Sequence, residues 1–557
     1  MHRKLALAYL LAAGFALAYL LAAGFVTAAL TGCGGGSASN SAPGSAGSGS
    51  SPPTSATHTD VTTFRNDAGR TGVNATESLL TPANVNASSF GLLRVLSVDG
   101  KVDAQPLYLS QLAIGGATHD VVFVATENDS VYAFDPQTGA TLWHVSLLGA
   151  GETPSDDRGC DQITPEIGVT STPVIDRSAG PNGAIFLVAM SKDSSSNYHQ
   201  RVHALDITTG AELFSGPVTV NPTYSSAAGG QQTFAPGQYA ERAALLLVNG
   251  TVYTSWTSHC DSQPYSGWVV GYSESTLAQT AVLNVAADSE GGPSIWMSGG
   301  GLAADSSGNI YLLTANGGFE TTLNSSGFPQ YGDYGNSFLK LATTGSGLTV
   351  ADYFAPFNEV AESAADEDLG SGGVMLLPDQ TDSSGVVRHL MVGGGKDGNL
   401  YVINRDNMGK FSSASNADWQ ELDGVLPGGF FSTAGYFNGA IYYGGIGAPL
   451  EAFTVSGARL SGQPASETTT QFPYPGASPA ISANGTASGI VWVAENSDPA
   501  VLHAYDATDL THELYNSNQA AGSRDNFGTG NKFITPTVAD GMVFVGTTNG
   551  VAVFSLL

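Results

Sequence analysis

The stretch Val121–Trp143, VVFVATENDSVYAFDPQTGATLW, most constrains how this chain can fold. It opens on an apolar β-branched run, turns at ENDS, runs again as VYAF, turns at DPQTG, and ends in a third run at Trp143. Short β-branched and aromatic runs between Asn, Asp, Gly and Pro turns form an antiparallel meander. A meander this short cannot bury both of its faces alone, so it predicts that the unit recurs and stacks. Seven further units follow: residues 184–214, 251–277, 309–345, 389–411, 440–460, 490–514 and 542–557. Many are led by a small-residue and proline segment that can form a strand of its own, as in QPLYL, STPVID, SPAISANG and TPTVADG. About four strands per unit is the pattern of a propeller blade. The spacing of roughly fifty to eighty residues exceeds that of the shorter propeller repeats, and the surplus belongs in loops on one face.

The expected fold is therefore all-β: an eight-bladed propeller of four-stranded antiparallel blades, spanning 61–557. The last unit ends too early to supply its outermost strand. Phe90–Val98, FGLLRVLSV, precedes the first full blade and is predicted to fill that place, closing the ring and removing its exposed edges.

Residues 1–60 have another composition. His2, Arg3 and Lys4 precede an apolar stretch, Leu5–Leu30, in which ALAYLLAAGF occurs twice in succession, and then LTGC. Leu30-Thr31-Gly32-Cys33 resembles the lipobox of bacterial lipoproteins. The resemblance implies a signal peptide over 1–32 and a lipid anchor on Cys33. A membrane-spanning helix is the rival reading of so long an apolar stretch. Residues 33–60, rich in Gly, Ser, Ala and Pro, are expected to form a flexible linker. The net charge of −29 argues against nucleic acid and anionic lipid as partners, leaving membrane contact to the Cys33 anchor alone. The chain is expected to be a monomer in the extracytoplasmic cell envelope, in the periplasm or at the cell surface.

Two cysteines remain, Cys160 and Cys260, both in loops. An oxidising compartment permits a disulfide between them, and the sequence leaves the pairing open. No CxxCH motif is present to attach a c-type haem. No HExxH, P-loop or GxSxG motif is present either, and the histidines read as surface or loop residues.

From about Thr62 onward the repeat resembles that of the quinoprotein dehydrogenases, eight-bladed propellers that bind pyrroloquinoline quinone (PQQ). The segment TFRNDAGRTGVNATESLLTPANV resembles a degraded form of that family's N-terminal signature. In GGPSIWMSGGGLAADSSGNIYLLTANGG, the resemblance places Trp296 as the floor under the quinone and Asn316 as a metal ligand. In ESAADEDLGSGG it places Asp366 as catalytic base. Asp368 stands two residues on, where lanthanide-using members carry a second metal-binding Asp. In HLMVGGGKDGNLYVINRDNMGKF it places Lys396 against the quinone carbonyl, where a fixed cation stabilises developing charge. In RGCDQITPEIG it places Cys160 over the quinone. Many members have two adjacent cysteines there, and this chain has one. A metal-binding Glu is also expected in the second blade, where SKDSSSNYHQRVHALD offers only Asp193, and Glu166 lies in a neighbouring loop.

Two functions stay open. One is a PQQ-dependent dehydrogenase of an alcohol or sugar, using Ca²⁺ or a lanthanide. The other, favoured by the two departures, is a lipoprotein with a degenerate quinone site that binds a ligand or an envelope protein. The same propeller resembles the lipoprotein of the outer-membrane assembly machinery, which binds partners and no quinone.

Overall fold

The computed structural model describes residues 58–557 apart from 290, 345 and 346. Cys33, the predicted signal peptide and nearly all of the predicted linker lie outside the described residues. The described residues form eight four-stranded antiparallel blades, as the repeat predicts. Blades 1 to 7 occupy 107–146, 174–219, 246–284, 303–354, 375–422, 435–472 and 480–516 in chain order. Blade 8 takes its inner three strands, Thr537–Ala539, Met542–Gly546 and Gly550–Leu556, from the C-terminal end. Its outermost strand is Phe90–Ser97, antiparallel to the last, with Phe90 opposite Leu556 and Ser97 opposite Gly550.

Several second strands are almost wholly buried. Ala184–Lys192 is buried at every position but its last, and Leu390–Gly394 throughout. Both faces of such a strand meet neighbouring blades, so the sequence shows a continuous apolar run instead of alternation. Outer strands alternate buried and exposed residues, as in Phe90–Ser97. Aromatic side chains latch adjacent blades. Trp143 Nε1 of blade 1 donates to Ile207 O beside blade 2 at 2.9 Å, and Tyr442 Oη of blade 6 donates to Ala507 O beside blade 7 at 2.7 Å.

The segment 61–74 crosses the hub and touches all eight blades. Val61 pairs with Tyr108 of blade 1. Thr62 O accepts Ile175 N of blade 2, Ala68 O accepts Ala304 N of blade 4, and Gly69 O accepts Leu376 N of blade 5. Thr71 O accepts Tyr436 N of blade 6, and Val73–Asn74 runs parallel to the innermost strand of blade 7. Asn74 Nδ2 donates to Val538 O of blade 8 at 2.9 Å. Arg70, fully buried, donates from Nε to Leu302 O at 2.7 Å and from Nη2 to Leu245 O at 2.9 Å, reaching blades 4 and 3. Arg65, also fully buried, donates to Pro479 O at 2.7 Å and to Ala434 O, bridging blades 7 and 6. Carbonyl oxygens aimed at an axis need donors, and a guanidinium supplies five from one side chain.

The expectation that the histidines lie in loops or on the surface is corrected here. His203 and His503 are buried on strands, His203 with Nδ1 on Glu212 and His503 with a glutamate on each ring nitrogen, while His259 lies in a turn but is buried with Nε2 on Tyr239 O. His503 lies between Glu513, at 2.8 Å from Nδ1, and Glu495, at 3.1 Å from Nε2. Burial works to lower its pKa, but the two glutamates outweigh burial and raise it above the ordinary 6.5. The His503 bond holds Glu495 below 4.5; at Glu513 burial opposes the same pull and the bond prevails. The histidine's contribution to stability is complete below 6.5 and is lost as pH rises through its folded value. The glutamates' contribution is present above 4.5 and is lost as pH falls through theirs. The cluster therefore stabilises most between about pH 4.5 and 6.5. The melting temperature of His503→Gln should fall short of the wild type by more at pH 5.5 than at pH 8.5. A gap that is constant with pH would refute this assignment.

Candidate functional site

Loops following the second strands of neighbouring blades meet near the axis and bring together most of the residues that the sequence singled out. Asn316 follows Ile310–Leu313 of blade 4, and Lys396 follows Leu390–Gly394 of blade 5. Asp366 and Asp368 lie between these blades, after the one-turn helix Glu359–Ala364. Close backbone approach makes the meeting possible. A Cβ on Gly395 would stand 2.2 Å from Asp368 O, and one on Gly370 would stand 2.6 Å from Thr314 C. The GGGK and DLGSGG runs are glycine-rich because the two loops pass at backbone contact.

Lys396 Nζ lies 2.5 Å from Asp368 Oδ2 and 3.0 Å from Asp366 Oδ2. Asn316 donates from its backbone N to Asp368 Oδ1 at 2.9 Å and from Nδ2 to Asp366 Oδ1 at 2.8 Å. The Asp368 side chain is 8% exposed and that of Asp366 is 69% exposed, so the first is a buried anchor and the second faces solvent. Burial pushes the Asp368 carboxyl up against the pull of Lys396. Burial pulls Lys396 down, but Asp368 and Asp366 outweigh it, so its ammonium is held above the usual lysine range.

Trp296, on the connection from blade 3 to blade 4, lines one cavity with Asp368, Lys396, Ser371, Phe431 and Tyr474. Cys160 and Cys260 are joined by a disulfide that ties the blade 2 loop to the blade 3 loop. Cys160, Ile163 and Trp296 line a second, narrow cavity, so the disulfide and the indole stand at the same slot. Five of the singled-out residues thus form one hydrogen-bonded or cavity-sharing group, with Cys160 at its edge. Asp193 does not join them, because its carboxylate closes its own hairpin turn on Asn197. Glu166 pairs in a short hairpin with Asp156.

Sequence reasoning missed two contributors. Asp261, directly after Cys260, lines cavities with Trp296, Asp368 and Lys396 on one side and with Asn316 and Asp366 on the other. It accepts Tyr265 Oη at 2.8 Å. The search for another acidic ligand looked in blade 2, whereas the carboxylate comes from the equivalent loop of blade 3. The signal was its position just past an apolar second strand, where Asn316 and Lys396 also stand. The second contributor is Arg242, buried and stacked 5.1 Å from the Phe533 ring. Among the described residues its guanidinium makes no hydrogen bond, and it borders the axial cavity together with Lys532, Thr170, Thr172 and Phe64 of the hub segment. Burial, then Arg242 and Lys101, pushes the Lys532 ammonium down to about 8. The site therefore has an acidic side at Asp261, Asp366 and Asp368 and a cationic side at Arg242 and Lys532.

A family model described as outer membrane protein assembly factor BamB matches residues 100–257. No curated protein matches the chain. Among solved structures, a quinohemoprotein alcohol dehydrogenase from Comamonas testosteroni is similar with a TM-score of 0.57 and 14% identity, over 89% of this chain and 80% of that one. The quinohemoprotein alcohol dehydrogenase ADHIIG from Pseudomonas putida HK5 gives 0.56 and 12%, over the same shares. A europium-containing methanol dehydrogenase gives 0.54 and 14%, over 89% of this chain and 98% of that one. At these identities the likeness is one of fold: this chain is an eight-bladed propeller similar to the quinoprotein dehydrogenases, and its repeat is also related to that of the assembly factor.

Proposed function

We propose that the axial funnel formed by these loops binds a planar quinone of the PQQ type together with a hard cation, and oxidises a hydroxyl of an alcohol or sugar. The carrying observation is the convergence of Trp296, Asn316, Asp366, Asp368 and Lys396. The residues present suit both groups. Three carboxylates and an amide are donors for Ca²⁺ or a lanthanide. The buried, unbonded guanidinium of Arg242 suits the carboxylates of such a quinone. Asp261, Asn316 and Asp368 would hold the cation, Trp296 and the disulfide would flank the ring, and Lys396 would donate to its carbonyl. A bound quinone supplies the hydride acceptor. The solvent-facing Asp366 would take the substrate's hydroxyl proton.

A second reading is a propeller that binds an envelope protein and no quinone. It is favoured by the Lys396 ion pairs, which already engage both Asp366 and Asp368. Titration with PQQ and Ca²⁺ or La³⁺, followed by tryptophan quenching and dye reduction with alcohols, separates the two. Neither quenching nor dye reduction in either metal rejects the oxidoreductase.

The LTGC sequence supports lipid attachment at Cys33, and the Cys160–Cys260 disulfide suits an extracytoplasmic compartment. Among the described residues no helix is long and apolar enough to cross a membrane. A Cys33→Ser chain that still incorporates labelled fatty acid would refute the anchor.

A further inference from the structure

We propose a second metal site, outside the funnel, in which His58, Asp120 and Asp540 bind a divalent transition cation such as Zn²⁺. The three residues come from the start of the described chain, the hairpin of blade 1 and the inner hairpin of blade 8. Each offers one ligand atom, and these atoms all lie within 4.8 Å of one another. His58 Nδ1 is 3.5 Å from Asp540 Oδ2. Ligand bonds of 2.0–2.2 Å put donors about 3–4 Å apart around a shared ion, so a small movement of the half-exposed His58 ring completes the set.

The donors are fixed from behind and open in front. Asp540 Oδ1 accepts Thr59 N at 3.2 Å and its Oδ2 accepts Tyr108 Oη at 3.1 Å. Asp120 Oδ1 accepts Gln111 N at 3.0 Å, while its Oδ2 takes no hydrogen bond among the described residues. Asp60 completes the acidic surroundings but is engaged by Arg177. One imidazole with two carboxylates suits Zn²⁺ and its neighbours better than Ca²⁺, which takes an all-oxygen set. A bound ion would clamp residue 58 to blades 1 and 8.

The test is calorimetric titration of the full chain with Zn²⁺. One equivalent should bind. His58→Ala and Asp120→Asn should each weaken binding at least tenfold, and Asp366→Asn in the funnel should leave it unchanged. Absence of binding, or affinity unaltered in both His58→Ala and Asp120→Asn, overturns the proposal. Loss of binding in Asp366→Asn alone assigns the ion to the funnel and equally overturns it.

Discussion

Asp366→Asn is expected to lower dye-linked alcohol oxidation by about 10²–10⁴-fold, the contribution of a positioned general base. The change is nearly isosteric, and the Asp366 side chain is largely exposed, so the fold should tolerate it. An amide oxygen can still accept from Asn316 or Lys396, as each Asp366 oxygen does now. What it cannot do is take a proton. The expected signature is therefore a fall in kcat with quinone affinity changed little, read by tryptophan quenching in parallel. Asp368→Asn should behave differently. It removes the buried partner of Lys396 and one cation donor, so it should weaken metal loading and stability together. Equal rates for Asp366→Asn and wild type would remove Asp366 from the chemistry.

Arg65→Met should destabilise the propeller by about 3–5 kcal/mol, with the loss shared among blades far apart in sequence. The methionine fills much of the space but leaves Pro479 O and Ala434 O without their donor, and loses the bond from Arg65 Nε to Arg70 O at 3.2 Å. Each buried orphan costs about 1–3 kcal/mol. Chemical denaturation, compared with a surface control such as Arg459→Met, measures the effect. A loss below 1 kcal/mol would show that water satisfies those carbonyls and that the hub bonds are dispensable.

The blades were legible because each carries its own evidence: an apolar second strand between turn residues, repeated eight times. The closing strand was legible because the last unit lacked a fourth run and Phe90–Val98 offered one. In the site, Trp296, Asn316, Asp366, Asp368 and Lys396 could be picked out because they sit in short glycine-rich motifs. Other features left no local trace. Arg65 and Arg70, in RNDAGR, look like surface charges, since the blade carbonyls they satisfy lie between 175 and 414 residues away in the chain. The buried histidines deceived for the same reason: His203 meets Glu212 and His503 meets Glu495 and Glu513 only when adjacent strands align. Asp261 was missed because a family pattern directed attention to another blade, and Arg242 because a lone arginine before an apolar run gives no hint of a cavity.

Pairing Phe90–Ser97 with Gly550–Leu556 makes the molecule a test of its own completeness. Exposed segments usually tolerate trimming, but Gly550–Leu556 is the third strand of a blade whose fourth, Phe90–Ser97, lies far away in sequence. A polypeptide that stops short, through premature termination or clipping, would leave Phe90–Ser97 as a bare β edge, a template for aggregation. Synthesis must therefore run past Leu556 before any copy can be sealed.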